Sequence, residues 1–222
     1  MKALIVLAHP EPNGFNAAMA DAARRALTLA GYEVVLSDLY RMGFEPRTTR
    51  ANFTSMKDRN YFKPQTEEMY ASEVGGFAPD IEAELVKLET CDLMIWQFPL
   101  WWFGLPATLK GWVDRVFVMG RIYGGSRVYN NGAKKGARAL LSLTTGGPRA
   151  AYEKDGFNGD LAGILKPIHR GMLQFIGFDV LAPNVVFGPV RLSEQERSAV
   201  IANWDQRLRQ IDTEGPIDVG LY

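Results

Sequence analysis

Five short, continuous apolar runs separated by helix-like segments constrain this chain more than any other feature. They are ALIVL at 3–7, VVL at 34–36 within YEVVLSDL, DLMIWQF, ARALLSLTT ending at Thr145, and FDVLAPNVVF. None shows the strict apolar–polar alternation of a strand with one wet face, so each reads as a strand buried on both sides. The segments between them carry helix signals. NAAMADAARRALTLAG is alanine-rich and stops at Gly31; Pro79 and Asp80 open a helix with Ile81, Leu85 and Leu88 on one face. PATLKGWVDRVF and the stretch from Asp160 to about Phe175 follow, and Ser193 with Glu196 forms a capping box before a last helix to about Ile211. Such alternation predicts an α/β fold: a doubly wound, five-stranded parallel sheet in a three-layer α/β/α arrangement with right-handed crossovers. Ligands then bind at the carboxyl ends of the strands, around the topological switch point.

The 222 residues suit one domain spanning 1–222, interrupted by two long excursions over the binding face at about 41–78 and 120–136. Lys+Arg and Asp+Glu both number 25, so no net field gathers nucleic acid or an anionic membrane, and no nucleic-acid partner is expected. From Leu93 to Leu109 no residue is charged, but Pro99, Gly104 and Pro106 would break a membrane-spanning helix there. Cys91 is the single cysteine and reads as a buried, inert thiol; with only His9 and His169 besides, no metal is expected. The N-terminal apolar run is too short for a signal peptide, which makes the cytoplasm the expected compartment.

Three loops follow strands one, three and four and should meet in space: HPEPNGFN from His9 to Asn16, PLWWFG from Pro99 to Gly104, and TTGG from Thr144 to Gly147. The first places short polar residues and a glycine at a helix N-terminus, where free amides and the helix dipole favour a phosphate. The second offers flat aromatic surface. The third lets backbone amides approach a ring edge, with threonine hydroxyls as further partners. GxxxxGK[ST] is absent, which argues against a nucleoside-triphosphatase. A phosphate cradle, an aromatic wall and a ring-edge clamp together suit a flavin nucleotide.

The motifs AHPEPNGFN, SDLY at 37–40, QFPLWWFGLPATLKGW, LTTGG and GFDVL resemble, in order and spacing, those of the flavodoxin-like NAD(P)H:quinone oxidoreductases of the DT-diaphorase type. The resemblance runs to about residue 210. It implies a flavodoxin-like fold, tightly held FAD with FMN as the alternative, NAD(P)H as hydride donor, and ping-pong two-electron reduction of a quinone or similar flat acceptor. His9, Phe15, Asn16 and Ala17 would hold the phosphate and ribose region. Pro99, Leu100, Trp101, Trp102 and Phe103 would line the flavin ring, and Thr144, Thr145, Gly146, Gly147 and Tyr152 its edge. Trp102, Phe103, Tyr123, Tyr129, Gly146 and Phe175 would line the acceptor pocket. Family members are homodimers with shared active sites, which would cover Trp102 and Phe103.

The departures from the family are specific. Tyr152 is followed six residues later by Asn158, where better-known members carry a histidine. These two are the candidate catalytic residues, yet an amide carries no proton near neutral pH. The choice among NADH, NADPH and a smaller nicotinamide donor therefore stays open. Arg170 stands where one branch has a metal-ligating histidine. Of two pocket tyrosines one is matched by Tyr123 and the other falls on Gly125, and Phe62 stands at a glutamine of the long loop. Two other classes share the fold: a one-electron flavodoxin carrier, and the ancillary subunit of a potassium-efflux system with a membrane partner.

Overall fold

The computed structural model describes residues 1–221. Strands β1 (Lys2–Leu7), β2 (Glu33–Asp38), β3 (Leu93–Pro99), β4 (Arg138–Thr145), β5 (Asp179–Val180) and β6 (Asn184–Phe187) form one parallel sheet in the order β2-β1-β3-β4-β5, with β6 also on β4. The predicted fifth strand is thus split. Leu181–Pro183 interrupts it, because Pro183 has no N–H for a ladder, and the two pieces pair with successive parts of β4.

Helices cover both faces. Along β1, Ala3, Ile5 and Leu7 pack with helices α1 (Phe15–Leu29) and α6 (Glu194–Arg209). Leu4 and Val6 enter the opposite core, with α3 (Pro79–Thr90), α4 (Ala107–Val116) and α5 (Leu161–Ile168). Successive side chains of a strand point to opposite faces, so two cores on one strand require apolar residues at every position, which explains the unbroken runs. The Ser193–Glu196 capping box is formed. Cys91 is buried, and burial pushes its thiol up to about 11.

Two expectations are corrected. The excursion at 41–78 contains helix α2 (Pro64–Val74), started by a proline in its first turn and ended by Gly75 in the left-handed region. The helix expected from Asp160 to about Phe175 ends at Ile168 and continues as a wider π turn over His169–Gln174. Pro167 lies inside it and supplies no N–H, so the regular ladder cannot continue.

Both excursions are fastened tightly. A Cβ on Gly111 would lie 2.3 Å from Pro46, and one on Gly132 would lie 2.3 Å from the backbone of Ile176, so each loop rests directly on the scaffold. Buried Arg115 donates to Glu45 O (2.6 Å), Asn52 Oδ1 (3.1 Å) and Asp80 Oδ2 (3.1 Å). Glu67 accepts from the amides of Lys57 (2.6 Å) and Asp58 (3.0 Å), while Glu68 accepts from Met119 N (2.8 Å).

Candidate active site

The sheet order places β1 between β2 and β3, so the chain leaves β1 in one direction and later returns on its other side. The strand ends are level: Leu7 lies opposite Gln97, and Pro99 opposite Thr144. The His9, Pro99 and Thr144 loops therefore open on one crevice at the switch point, where such folds bind ligands.

A buried amide chain ties the three together. Gln97 Nε2 donates to Asn16 Oδ1 (2.8 Å), and Asn16 Nδ2 donates to Thr144 Oγ1 (3.1 Å). Asn16 thus connects the start of α1 to β3 and β4. The sequence reading gave Gln97 no role; its signal was a polar residue inside a strand buried on both faces. The remaining acceptor, Gln97 Oε1, is buried without a hydrogen-bond partner.

Helix α1 begins at Phe15 with no side-chain cap and no acidic residue in its first turn. Its leading amides and positive dipole end are left for an external anion. His9 sits over this entry: its Nδ1 lies 3.1 Å from the Glu11 amide, and its ring lies 6.4 Å from that of Trp101. Where Nδ1 accepts that bond, Nε2 is the donor.

The Trp101–Gly104 turn is closed by Gly104 N donating to Trp101 O (3.0 Å). Both central residues have positive φ, 51° at Trp102 and 58° at Phe103, in the region a type I′ turn normally fills with Asn or Gly. Trp102 is 97% exposed and Phe103 50%. Bulky residues held there cost on the order of 1 kcal/mol or more each, and strain of this kind gathers at ligand sites.

Pro99, Leu100, Trp101, Trp102, Thr144, Thr145 and Gly146 line a cavity of about 410 Å³, with Pro189 and Val190 closing it. Nothing lies within 4 Å of where a Gly146 Cβ would stand, so the bare backbone leaves this ledge free for a flat ligand. The threonine hydroxyls also make contacts within the protein. Thr144 Oγ1 accepts from Asn16 and keeps its own O–H to donate, whereas Thr145 Oγ1 donates to Gly147 O (2.9 Å).

Tyr152 and Asn158 are brought to the same place. A Cβ on Gly147 would lie 3.0 Å from the Tyr152 ring and 3.5 Å from Asn158 Nδ2, and the Tyr152 ring faces Phe103 at 6.5 Å. Tyr123, Tyr129 and Phe175 form a separate group, with Phe175 5.7 Å from Tyr123 and 5.4 Å from Tyr129. Tyr129 is the third non-glycine residue with positive φ. Among the described residues no ring pair joins this group to Trp102, Phe103 and Tyr152.

His169 is buried; its Nε2 has no partner, and burial pulls its pKa down to about 4. Among the described residues no cluster of three or more His, Cys, Asp or Glu is placed to hold a metal, and no helix is long and apolar enough to cross a membrane.

A doubly wound parallel sheet with an uncapped helix start, an aromatic turn and a glycine ledge at its switch point defines a flavodoxin-type nucleotide-binding protein. The flavodoxin-like fold family model matches residues 1–208. The chain is 45% identical to rat NAD(P)H dehydrogenase [quinone] 1, over 97% of this chain and 79% of that protein. It is 43% identical to human ribosyldihydronicotinamide dehydrogenase [quinone], over 97% and 94%. A candidate quinone reductase from Klebsiella pneumoniae superposes with a TM-score of 0.92 at 36% identity, covering 98% of this chain and 87% of that one. The chain belongs to the flavodoxin-like family of NAD(P)H:quinone oxidoreductases.

Proposed function

We propose that this protein is a flavin-dependent NAD(P)H dehydrogenase that reduces quinones or similarly flat acceptors by two electrons. One observation carries the reading: the strained Trp101–Gly104 turn and the bare Gly146 backbone line one cavity, and His9, 6.4 Å from Trp101, joins it to the uncapped α1 start. Bound flavin would supply the hydride relay between nicotinamide and acceptor. The chain's own part is binding and orientation. His9 and the α1 amides hold the anionic tail, and Trp101 to Phe103 form the wall of the ring. The Gly146 and Gly147 backbone meets the ring edge, where negative charge develops on reduction. Tyr152 and Asn158 stand beside that edge as hydrogen-bond partners. Asn158 holds a donor there but moves no proton.

FAD is favoured over FMN. A second cavity of about 540 Å³, between His9, Pro12, Asp38 and Tyr40, adjoins the phosphate cradle and has room for the nucleoside half of a dinucleotide. A homodimer is favoured by the 97% exposure of Trp102 and by the separate aromatic group at Tyr123, Tyr129 and Phe175, which a second copy would bring to the acceptor pocket.

The test combines flavin and activity. Purified protein should release FAD on denaturation and oxidise NAD(P)H with a water-soluble quinone, with no protein partner added. Gly146→Val should stay folded, lose flavin and lose turnover. Full flavin occupancy and activity in Gly146→Val would remove the ledge from the site, and absence of quinone reduction in the wild type would end the reading.

A further inference from the structure

A cavity of about 620 Å³ lies beside the crevice, across the Gly188–Arg191 turn. Two arginines from different loops stand on it, one held by a ring at the end of β6 and the other by the carbonyl of Gly146. The Arg149 guanidinium lies 4.7 Å over the Phe187 ring. Arg191 Nη2 donates to Gly146 O (2.8 Å) and folds back over Gly188, where a Cβ would lie 2.2 Å from that nitrogen. Neither arginine has a carboxylate partner among the described residues. The contrast lies on the same wall, where Arg207 is neutralised by Glu214 at 2.8 Å. Two guanidinium groups parked on a ring face and a carbonyl are oriented but uncompensated, and the ligand such a pair matches is a phosphate dianion.

We infer that Arg149 and Arg191 bind the extra phosphate monoester of NADPH and make the protein selective for NADPH over NADH. This deepens the quinone-reductase reading and rests on it. A nicotinamide stacked on a flavin held at the Gly146 ledge has the Gly188–Arg191 turn between it and this cavity, so the far half of the same dinucleotide can cross the turn into it. Beyond the arginines the cavity offers an apolar bed of Leu192 and Val200 and the amide of Asn203, a surface suited to a purine. The pyrophosphate of either dinucleotide is common to both donors. The monoester carries close to two charges on one phosphorus and distinguishes them.

The experiment is a kinetic comparison on the flavin-loaded enzyme, with NADPH and NADH as donors and one water-soluble quinone as acceptor. Wild type should favour NADPH in kcat/KM by about tenfold or more, as charge-assisted bonds to a phosphate would give. Arg149→Gln and Arg191→Gln should each lower that preference through the KM for NADPH with kcat little changed, the double variant should bring the ratio near unity, and Arg191→Lys should restore part of it. A measurement that needs no variant runs alongside: 2′,5′-ADP should compete with NADPH on the wild type more tightly than 5′-ADP. A wild-type ratio near unity, equal competition by the two inhibitors, or variants that lose NADPH and NADH activity together with flavin would each overturn the inference. In the first two cases quinone reduction itself would stand. Failure of both donors to reduce the quinone would instead sink the reading beneath it.

Discussion

The crevice at the switch point and the two excursions beside it are held in opposite ways. In the crevice, neutral amides join Asn16, Gln97 and Thr144, the backbone at Trp102 and Phe103 is forced into the left-handed region, and aromatic surface faces water. In the excursions the chain is irregular, yet Arg115, Glu67 and Glu68 are buried charges that cap its backbone groups, and Gly111 and Gly132 let it lie flush on the scaffold. Irregular backbone must satisfy its polar groups somewhere, and a side-chain charge satisfies several at once. Strain is thus concentrated in one exposed turn of the crevice, whereas the excursions are the part most dependent on individual polar contacts.

The largest effect should come from breaking an excursion. Arg115→Met would leave Glu45 O, Asn52 Oδ1 and Asp80 without their partner, at a cost of about 3–5 kcal/mol. Urea unfolding measures the loss, and limited proteolysis should find new cuts within 41–62. A loss below about 1 kcal/mol would mean that the first excursion is held by apolar packing after all.

Next is the π turn beneath the second excursion. Burial lowers the His169 pKa from 6.5 to about 4, so its native state is neutral. The stability that depends on this is complete above pH 6.5 and is lost as pH falls from about 6.5 to about 4, because the unfolded chain takes up the proton first. The shift corresponds to about 3 kcal/mol between pH 7 and pH 4. His169→Gln should show an acid-induced drop in unfolding free energy smaller than that of wild type by roughly that amount. Parallel curves for the two proteins would exclude His169 as the cause.

The smallest effect distinguishes strain from packing in the crevice. Trp102 is almost wholly exposed and has positive φ, so Trp102→Gly removes strain without removing burial and should raise stability by about 1 kcal/mol. Flavin affinity should fall at the same time. Thermal unfolding with flavin removed, paired with flavin titration, checks both. A destabilised variant would show that this indole is covered in the native assembly.

Sequence alone determined the sheet, the order of its layers and the three loops that meet at the switch point. The cause is local: unbroken apolar runs must be buried on two faces, and ALIVL, DLMIWQF and ARALLSLTT have no other way to be satisfied. It also marked Trp102 and Phe103 as flat aromatic surface in a loop that follows a buried strand. Helix α2 was legible in principle from Pro64 and Gly75, and a long polar surround obscured it. Tertiary structure decided the rest. Gln97 gained its role only when β1 and β3 aligned to bring Asn16 within 2.8 Å, and Thr144 Oγ1 met the Asn16 amide for the same reason. Arg149 and Arg191 lie 42 positions apart by their numbering and share a cavity only because β4 and β6 end side by side. Burial of a strand is fixed by its own residues, whereas a pairing of polar groups depends on where two distant segments stop, and only the folded sheet sets that.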